Sequence, residues 1–208
     1  MRLTTRAGPA LVRRALLSFG LAAFIASLSA CGEGSSVKFK GSDISGTKIG
    51  GGWALTGMDG KSYTSSDFAG KVQLVFFGFT QCPDICPTAL AELSEMMRTL
   101  GNQASRVQVL MITVDPERDT LPLLMAYMQN FDPTFLALRP EPNQLKALAD
   151  AFKVYYKRVE GKTPTSYSMD HSAGKYIFDP EGRVRLFSSY GKEATVIAKD
   201  IQTLLASK

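Results

Sequence analysis

Once its first 30 residues are set aside, this 208-residue chain has almost no surplus of charge. Four of its 24 basic residues, Arg2, Arg6, Arg13 and Arg14, fall in that opening stretch, which holds no acid; the rest carries 20 basic against 19 acidic groups. The formal charge of +5 is therefore no basic patch of the kind that neutralises phosphates, and a nucleic-acid partner is excluded. Nor is there an apolar run of the about 20 residues that a membrane-spanning helix needs; Ala15 to Ala30 has 16. No internal repeat is visible. At 45% hydrophobic and 21% charged residues the composition is that of a globular domain, neither disordered nor collagenous. Soft donors are scarce: one histidine, His171, and three cysteines, Cys31, Cys82 and Cys86.

The basic start, the apolar run and the ending Leu28-Ser29-Ala30-Cys31 have the form of an export signal. An uncleaved anchor is the competing reading, and Arg13-Arg14 leaves twin-arginine export beside the general secretory route. The ending resembles a bacterial lipobox, which implies cleavage before Cys31 and a lipid on that cysteine. Residues 1–30 are thus assigned to a lipoprotein signal peptide. Residues 31–52, rich in Gly and Ser and closing on Gly50-Gly51-Gly52, are assigned to a lipidated tether. Residues 53–208 form one folded domain, long enough for a core of its own.

Within it, Trp53 to Thr56 and Ser62 to Thr64 flank Asp59-Gly60, the signature of a tight hairpin. Val72 to Phe79 is an apolar run of strand length, as in a central strand covered on both faces. Thr88 to Leu100 has helical spacing, Val107 to Val114 is a second apolar strand, and helices over 121–131 and 144–152 surround a short strand at 135–138. A late hairpin, 173–178 with 184–187 about Asp179-Pro180-Glu181-Gly182, precedes a closing amphipathic helix, 193–205. The class is α/β.

If Cys31 takes a lipid, the remaining two cysteines form one C-x-x-x-C, Thr80-Gln81-Cys82-Pro83-Asp84-Ile85-Cys86-Pro87, at the carboxyl end of the first central strand. A disulfide across four residues constrains the unfolded chain little, so chemistry accounts for the pair better than stability does. Pro83 and Pro87 disfavour helix at the residues before them, which places both cysteines on a stiffened loop with the helix starting near Pro87. The helix dipole favours thiolate, making each sulfur a better nucleophile and a better soft-metal ligand. Two thiolates and the lone imidazole of His171 would make a three-donor set suited to Cu(I); Cu(II) or structural zinc would need a further donor. Asp115 and Asp119, in Val114-Asp115-Pro116-Glu117-Arg118-Asp119-Thr120, follow the second central strand and so share the cysteine rim, or else Asp119 or Thr120 caps the next helix. Tyr155, Tyr156, Tyr167 and Phe68 read as packing or rim residues.

The cysteine motif, the 114–120 motif, and Asp170-His171-Ser172 with Tyr176 and the 179–182 turn, taken in that order, resemble the Sco/SenC family. The resemblance runs from about Trp53 to the C-terminus. It implies a thioredoxin-like fold, a central mixed sheet flanked by helices with added N-terminal and late β-hairpins, lipid-anchored on the outer, periplasmic side of a bacterial membrane, the inner one more than the outer. It implies copper, as Cu(I) or Cu(II), held by Cys82, Cys86 and His171, with Asp115, Asp119 and Asp170 supporting the site or docking a partner. The role implied is assembly of the dinuclear copper centre of cytochrome c oxidase subunit II, as a metallochaperone. The alternative is a thiol-disulfide oxidoreductase that uses Cys82 and Cys86 as a redox pair, reducing the subunit II cysteines before another periplasmic copper chaperone loads them, or acting in extracytoplasmic redox homeostasis, with a thiol reductant behind it.

Overall fold

A computed structural model describes residues 38–163 and 166–207; the expected signal peptide over residues 1–30 and Cys31 lie outside them. The chain from Phe39 onward is one compact unit. Its strands are β1 (Ser42–Asp43), β2 (Ala54–Gly57), β3 (Ser62–Thr64), β4 (Val72–Gly78), β5 (Val107–Thr113), β6 (Leu136–Arg139), β7 (Tyr156–Glu160), β8 (Tyr167–His171), β9 (Lys175–Phe178) and β10 (Val184–Ser188). Its helices are α1 (Ile85–Leu100), α2 (Leu121–Met128), α3 (Pro142–Phe152) and α4 (Ala194–Ala206).

Eight strands form one mixed sheet in the order β1-β10-β9-β4-β5-β6-β2-β3, in which β4, β5 and β6 are parallel and the flanking pairs antiparallel. Each residue of β4 is buried, because alternate side chains feed two separate cores. Leu74 and Phe76 face Leu90, Leu93 and Met96 of α1 and Ile197, Ile201 and Leu204 of α4. Val75 and Phe77 face Leu148 and Phe152 of α3, Trp53 and Met169. The apolar stripes of α1, α3 and α4 are therefore spent on the sheet, and the site is left to the loops at the strands' carboxyl ends.

Both expected hairpins are present, as β2–β3 and β9–β10. Residues 40–50, expected to be part of a tether over 31–52, pack on the domain instead. Asp200 of α4 accepts from the Lys40 and Gly41 amides at 2.8 and 2.7 Å, β1 pairs with β10, and Ile44 and Ile49 join the core. Gly50 closes the segment: its amide donates to Ala151 O, its φ is +96°, and a Cβ there would meet the Phe178 ring at 2.8 Å. Glycine here serves close packing rather than flexibility. A further hairpin, β7–β8, stands apart from the main sheet and was not expected.

Candidate metal centre

The chain leaves β4 at Gly78 and reaches Cys82 on a loop whose first residue is gripped from below. Thr80 donates to the Asp119 carboxylate from its amide, at 3.2 and 3.3 Å, and from its hydroxyl, at 2.6 Å; Thr113 Oγ1 donates to the same group. Asp119 is fully buried, and burial pushes its pKa up while these donors oppose the shift. It ties the end of β5 to the loop that carries Cys82.

Cys86 does not lie on a loop. Helix α1 begins at Ile85, with Asp84 at the N-cap, so Cys86 sits in its first turn. Pro87 is tolerated there because the first amides of a helix have no intrahelical partner to lose, and that outweighs the local bias of a residue preceding proline. The turn directs the Cys86 amide at Cys82 Sγ, 3.3 Å away. Gly78 makes room for the buried thiol: a Cβ at Gly78 would lie 2.9 Å from Cys86 Sγ and 3.2 Å from the Phe76 ring. Gly78→Ala is accordingly expected to displace Cys86 and to cost about 1–3 kcal/mol, the usual range for overpacking, read from denaturant unfolding; an unchanged midpoint would show that the site yields freely.

His171 ends β8 and meets the cysteines across the cleft, with Cys86 Sγ 3.5 Å from Nε2. Nδ1 lies 2.9 Å from Ser172 O; a carbonyl can only accept, so in the neutral ring Nδ1 carries the proton and Nε2 keeps its lone pair toward the sulfurs. The Phe79 ring meets the imidazole edge-on at 5.8 Å between centroids. The three ligand atoms lie within 4.8 Å of one another and form a donor set able to hold a metal ion. Cys82 is half-buried and Cys86 buried, and the two are not joined in a disulfide.

The sulfurs are unlike. The Cys86 thiol donates to Cys82, and with the Cys86 and Asp84 amides lowers the Cys82 pKa to about 5; Cys86, giving up that hydrogen and buried, is pushed far up. Thiolate at Cys82 is the form present above that value and lost below it. Alkylation of Cys82 by iodoacetamide is therefore expected to rise as pH increases through about 5 and then to level off; a rise centred near the ordinary thiol value of about 8.5 would contradict the arrangement.

Asp115 and Asp119, 3% and 0% exposed, offer no carboxylate to a partner surface, so neither lies on an accessible rim. Thr120, not Asp119, caps α2, accepting from the Leu123 amide at 3.4 Å. Asp115 accepts from Tyr167 OH at 2.8 Å and pairs with Arg118, which also donates to Tyr167 O at 2.8 Å and Gln81 Oε1 at 3.1 Å. The Arg118 and Arg158 guanidiniums lie 3.5 and 3.7 Å from the Tyr167 ring centroid. This cluster fastens the β7–β8 hairpin, and hence His171, to the loop after β5. Asp170 alone of the three aspartates is exposed, on the wall of the cleft that Cys82 and His171 share. Sequence reasoning gave Arg118 and Gly78 no role. Arg118 lies inside the 114–120 motif, the one signal that marked it.

The family model for SCO1/SenC matches residues 41–206. A SCO2-like protein of Rickettsia felis is 39% identical over 137 residues, 65% of this chain and 67% of that one. Among solved structures, Bradyrhizobium japonicum ScoI with copper bound is 38% identical, with a TM-score of 0.69 over 74% of this chain and 98% of its own. BsSco, described with a disulfide switch and as a member of the Sco family of cytochrome c oxidase assembly proteins, shares the fold at 22% identity and a TM-score of 0.64, over 79% of this chain and 98% of its own. The fold is thioredoxin-like, as the resemblance implied. With its mixed sheet, its paired thiols at the start of α1 and the facing histidine, the chain belongs to the SCO1/SenC family.

Proposed function

We propose that this protein binds copper through Cys82, Cys86 and His171 and supports assembly of the dinuclear copper centre of cytochrome c oxidase subunit II. The observation that carries the reading is the convergence of two sulfurs and one available imidazole nitrogen within 4.8 Å. Two soft sulfurs and one nitrogen suit Cu(I), and the Bradyrhizobium japonicum relative has been solved with copper bound. Transfer proceeds by ligand exchange: with Cys82 thiolate already formed at neutral pH, an acceptor's thiols can replace the donors one at a time. Asp119 and the Arg118 cluster support the site from beneath. We place the domain on the extracytoplasmic face of the inner membrane, tethered through lipid on Cys31; among the described residues no helix is long and apolar enough to cross a membrane.

The experiment is copper stoichiometry and Cu(I) affinity for the reduced chain from Gly32 onward, without oxygen, against a competing chelator. One tight equivalent is expected; no tight copper would refute the reading. The unequal thiols favour a second one, thiol-disulfide exchange, in which Cys82 attacks and Cys86 resolves, recharged by a thiol reductant while another copper chaperone loads subunit II. For it, Cys86→Ser is expected to trap subunit II as a mixed disulfide, and failure to trap any exported protein counts against it.

A further inference from the structure

We infer that the free edge of β8 receives an extended segment of the partner protein, which adds to the β7–β8 sheet by main-chain hydrogen bonds beside Cys82. The inference deepens the proposed function, resting on it only for the identity of the acceptor. It starts from the hairpin's register. Ser172 N donates to Tyr155 O at 2.9 Å and Gly161 N to Ser166 O at 2.7 Å, one pair at each end. Bonded pairs alternate along an antiparallel ladder, so within β8 it is Ser168 and Asp170 that bond to β7. The main-chain groups of Tyr167, Met169 and His171 point to the opposite edge.

Arg118 bears this out, since its guanidinium reaches Tyr167 O from that side. Beyond Arg118 the edge is bare. Among the described residues, β8 pairs with no strand but β7, and Met169 and His171 make no main-chain bond outward. This stretch is one wall of a cleft whose other wall is Phe79, Cys82, Pro83, Asp84 and Ile85. Proteins ordinarily pair, cover or blunt such a row of unmet donors and acceptors. The occupant it fits is backbone in the β conformation, the one chain geometry that repeats donors and acceptors at the same interval. Charge narrows the segment further. Asp84 and Asp170 are exposed on facing walls, and neither joins an ion pair among the described residues, while Ile85 and Tyr155 leave apolar surface there at 37% and 58% exposure. The segment is thus extended and cysteine-bearing, with basic and apolar side chains on either side of the thiol.

The test uses the Cys86→Ser chain and a short synthetic peptide with a central cysteine, valine and threonine beside it and a lysine at each end, its thiol activated as a disulfide with thionitrobenzoate. The Cys82 thiolate attacks the peptide sulfur, the new protein–peptide disulfide forms as the old one breaks, and thionitrobenzoate leaves as its coloured thiolate. Amide hydrogen exchange is then followed by NMR. The Met169 amide is expected to slow about tenfold or more on adduct formation, as a newly bonded edge amide should, while Ser168 and Asp170, already bonded to β7, stay unchanged. A peptide N-methylated on alternate residues, which blocks edge pairing, is expected to form the adduct without protecting Met169. Titrating the reduced wild-type chain with the serine version of the peptide gives the same pattern without relying on the variant. An adduct that leaves Met169 exchange unchanged, or protection that survives N-methylation, overturns the inference. Protection without tight copper binding would overturn the metal reading instead and leave the docking edge standing.

Discussion

Replacing His171 by alanine is expected to weaken Cu(I) binding by more than the roughly 10–100-fold that loss of an outer-shell partner costs a metal site, with the fold intact. The ring is only half-buried, at the end of a strand, and its polar partner is the adjacent carbonyl of Ser172. Its removal leaves no buried charge behind. What is lost is the one nitrogen donor, because Nδ1 is engaged with Ser172 and Nε2 is the atom that faces Cys86. Chelator competition on the reduced chain measures the affinity, and a thermal melt beside it checks the fold. Unchanged affinity would remove His171 from the donor set and transfer the weight of the site to thiol exchange.

Replacing Glu92, itself 21% exposed, by alanine is expected to cost the domain about 3 kcal/mol, the low end of the penalty for leaving a buried charge, here the Lys175 ammonium, uncompensated. Lys175, the first residue of β9, has a fully buried side chain, and its ammonium lies 3.1 Å from a Glu92 carboxylate oxygen. Among the described residues its other favourable charge interaction is with the Tyr190 ring, 5.9 Å away at its centroid. Denaturant unfolding measures the loss. Glu92→Gln, which keeps an acceptor, should lose less, and Glu92→Leu with Lys175→Met should recover most of the stability, since matched apolar pairs often replace buried ion pairs without loss. A loss below about 1 kcal/mol for Glu92→Ala would instead be the behaviour of a solvated surface pair. The pair bears on the site as well, because α1 carries both Glu92 and Cys86, and β9 begins four residues after His171.

Much of the scaffold was legible because its signals are local. The nearly continuous apolar run of β4, broken only by Gln73, stated that the strand is covered on both faces, and Asp59-Gly60 and Asp179-Pro180-Glu181-Gly182 announced their hairpins through turn chemistry. The β7–β8 hairpin was missed because Tyr-Lys-Arg-Val-Glu and Tyr-Ser-Met-Asp-His are largely exposed and polar; the alternation that marks a strand needs one face on a core, and here only Met169 is fully given to it. The Gly- and Ser-rich stretch before Trp53 read as tether because composition does not register that Asp200 waits to accept the Lys40 and Gly41 amides. Proline's effect on the preceding residue misplaced Cys86, since that preference yields at a helix's first turn.

The sequence by itself determined the α/β class, the succession of the long strands and helices along the chain, and the three soft donors, because scarcity left Cys82, Cys86 and His171 with few rivals for any metal or redox role. Only the tertiary structure decided that they meet. Cys86 and His171 are 85 residues apart in the chain, and no local preference acts over that distance. The contact depends on a helix end packed against β4 and on a hairpin held by Asp115, Arg118 and Tyr167. Tertiary packing likewise buried Asp115 and Asp119 beneath the site while leaving Asp170 at its rim, since burial is set by what covers a residue from elsewhere in the chain.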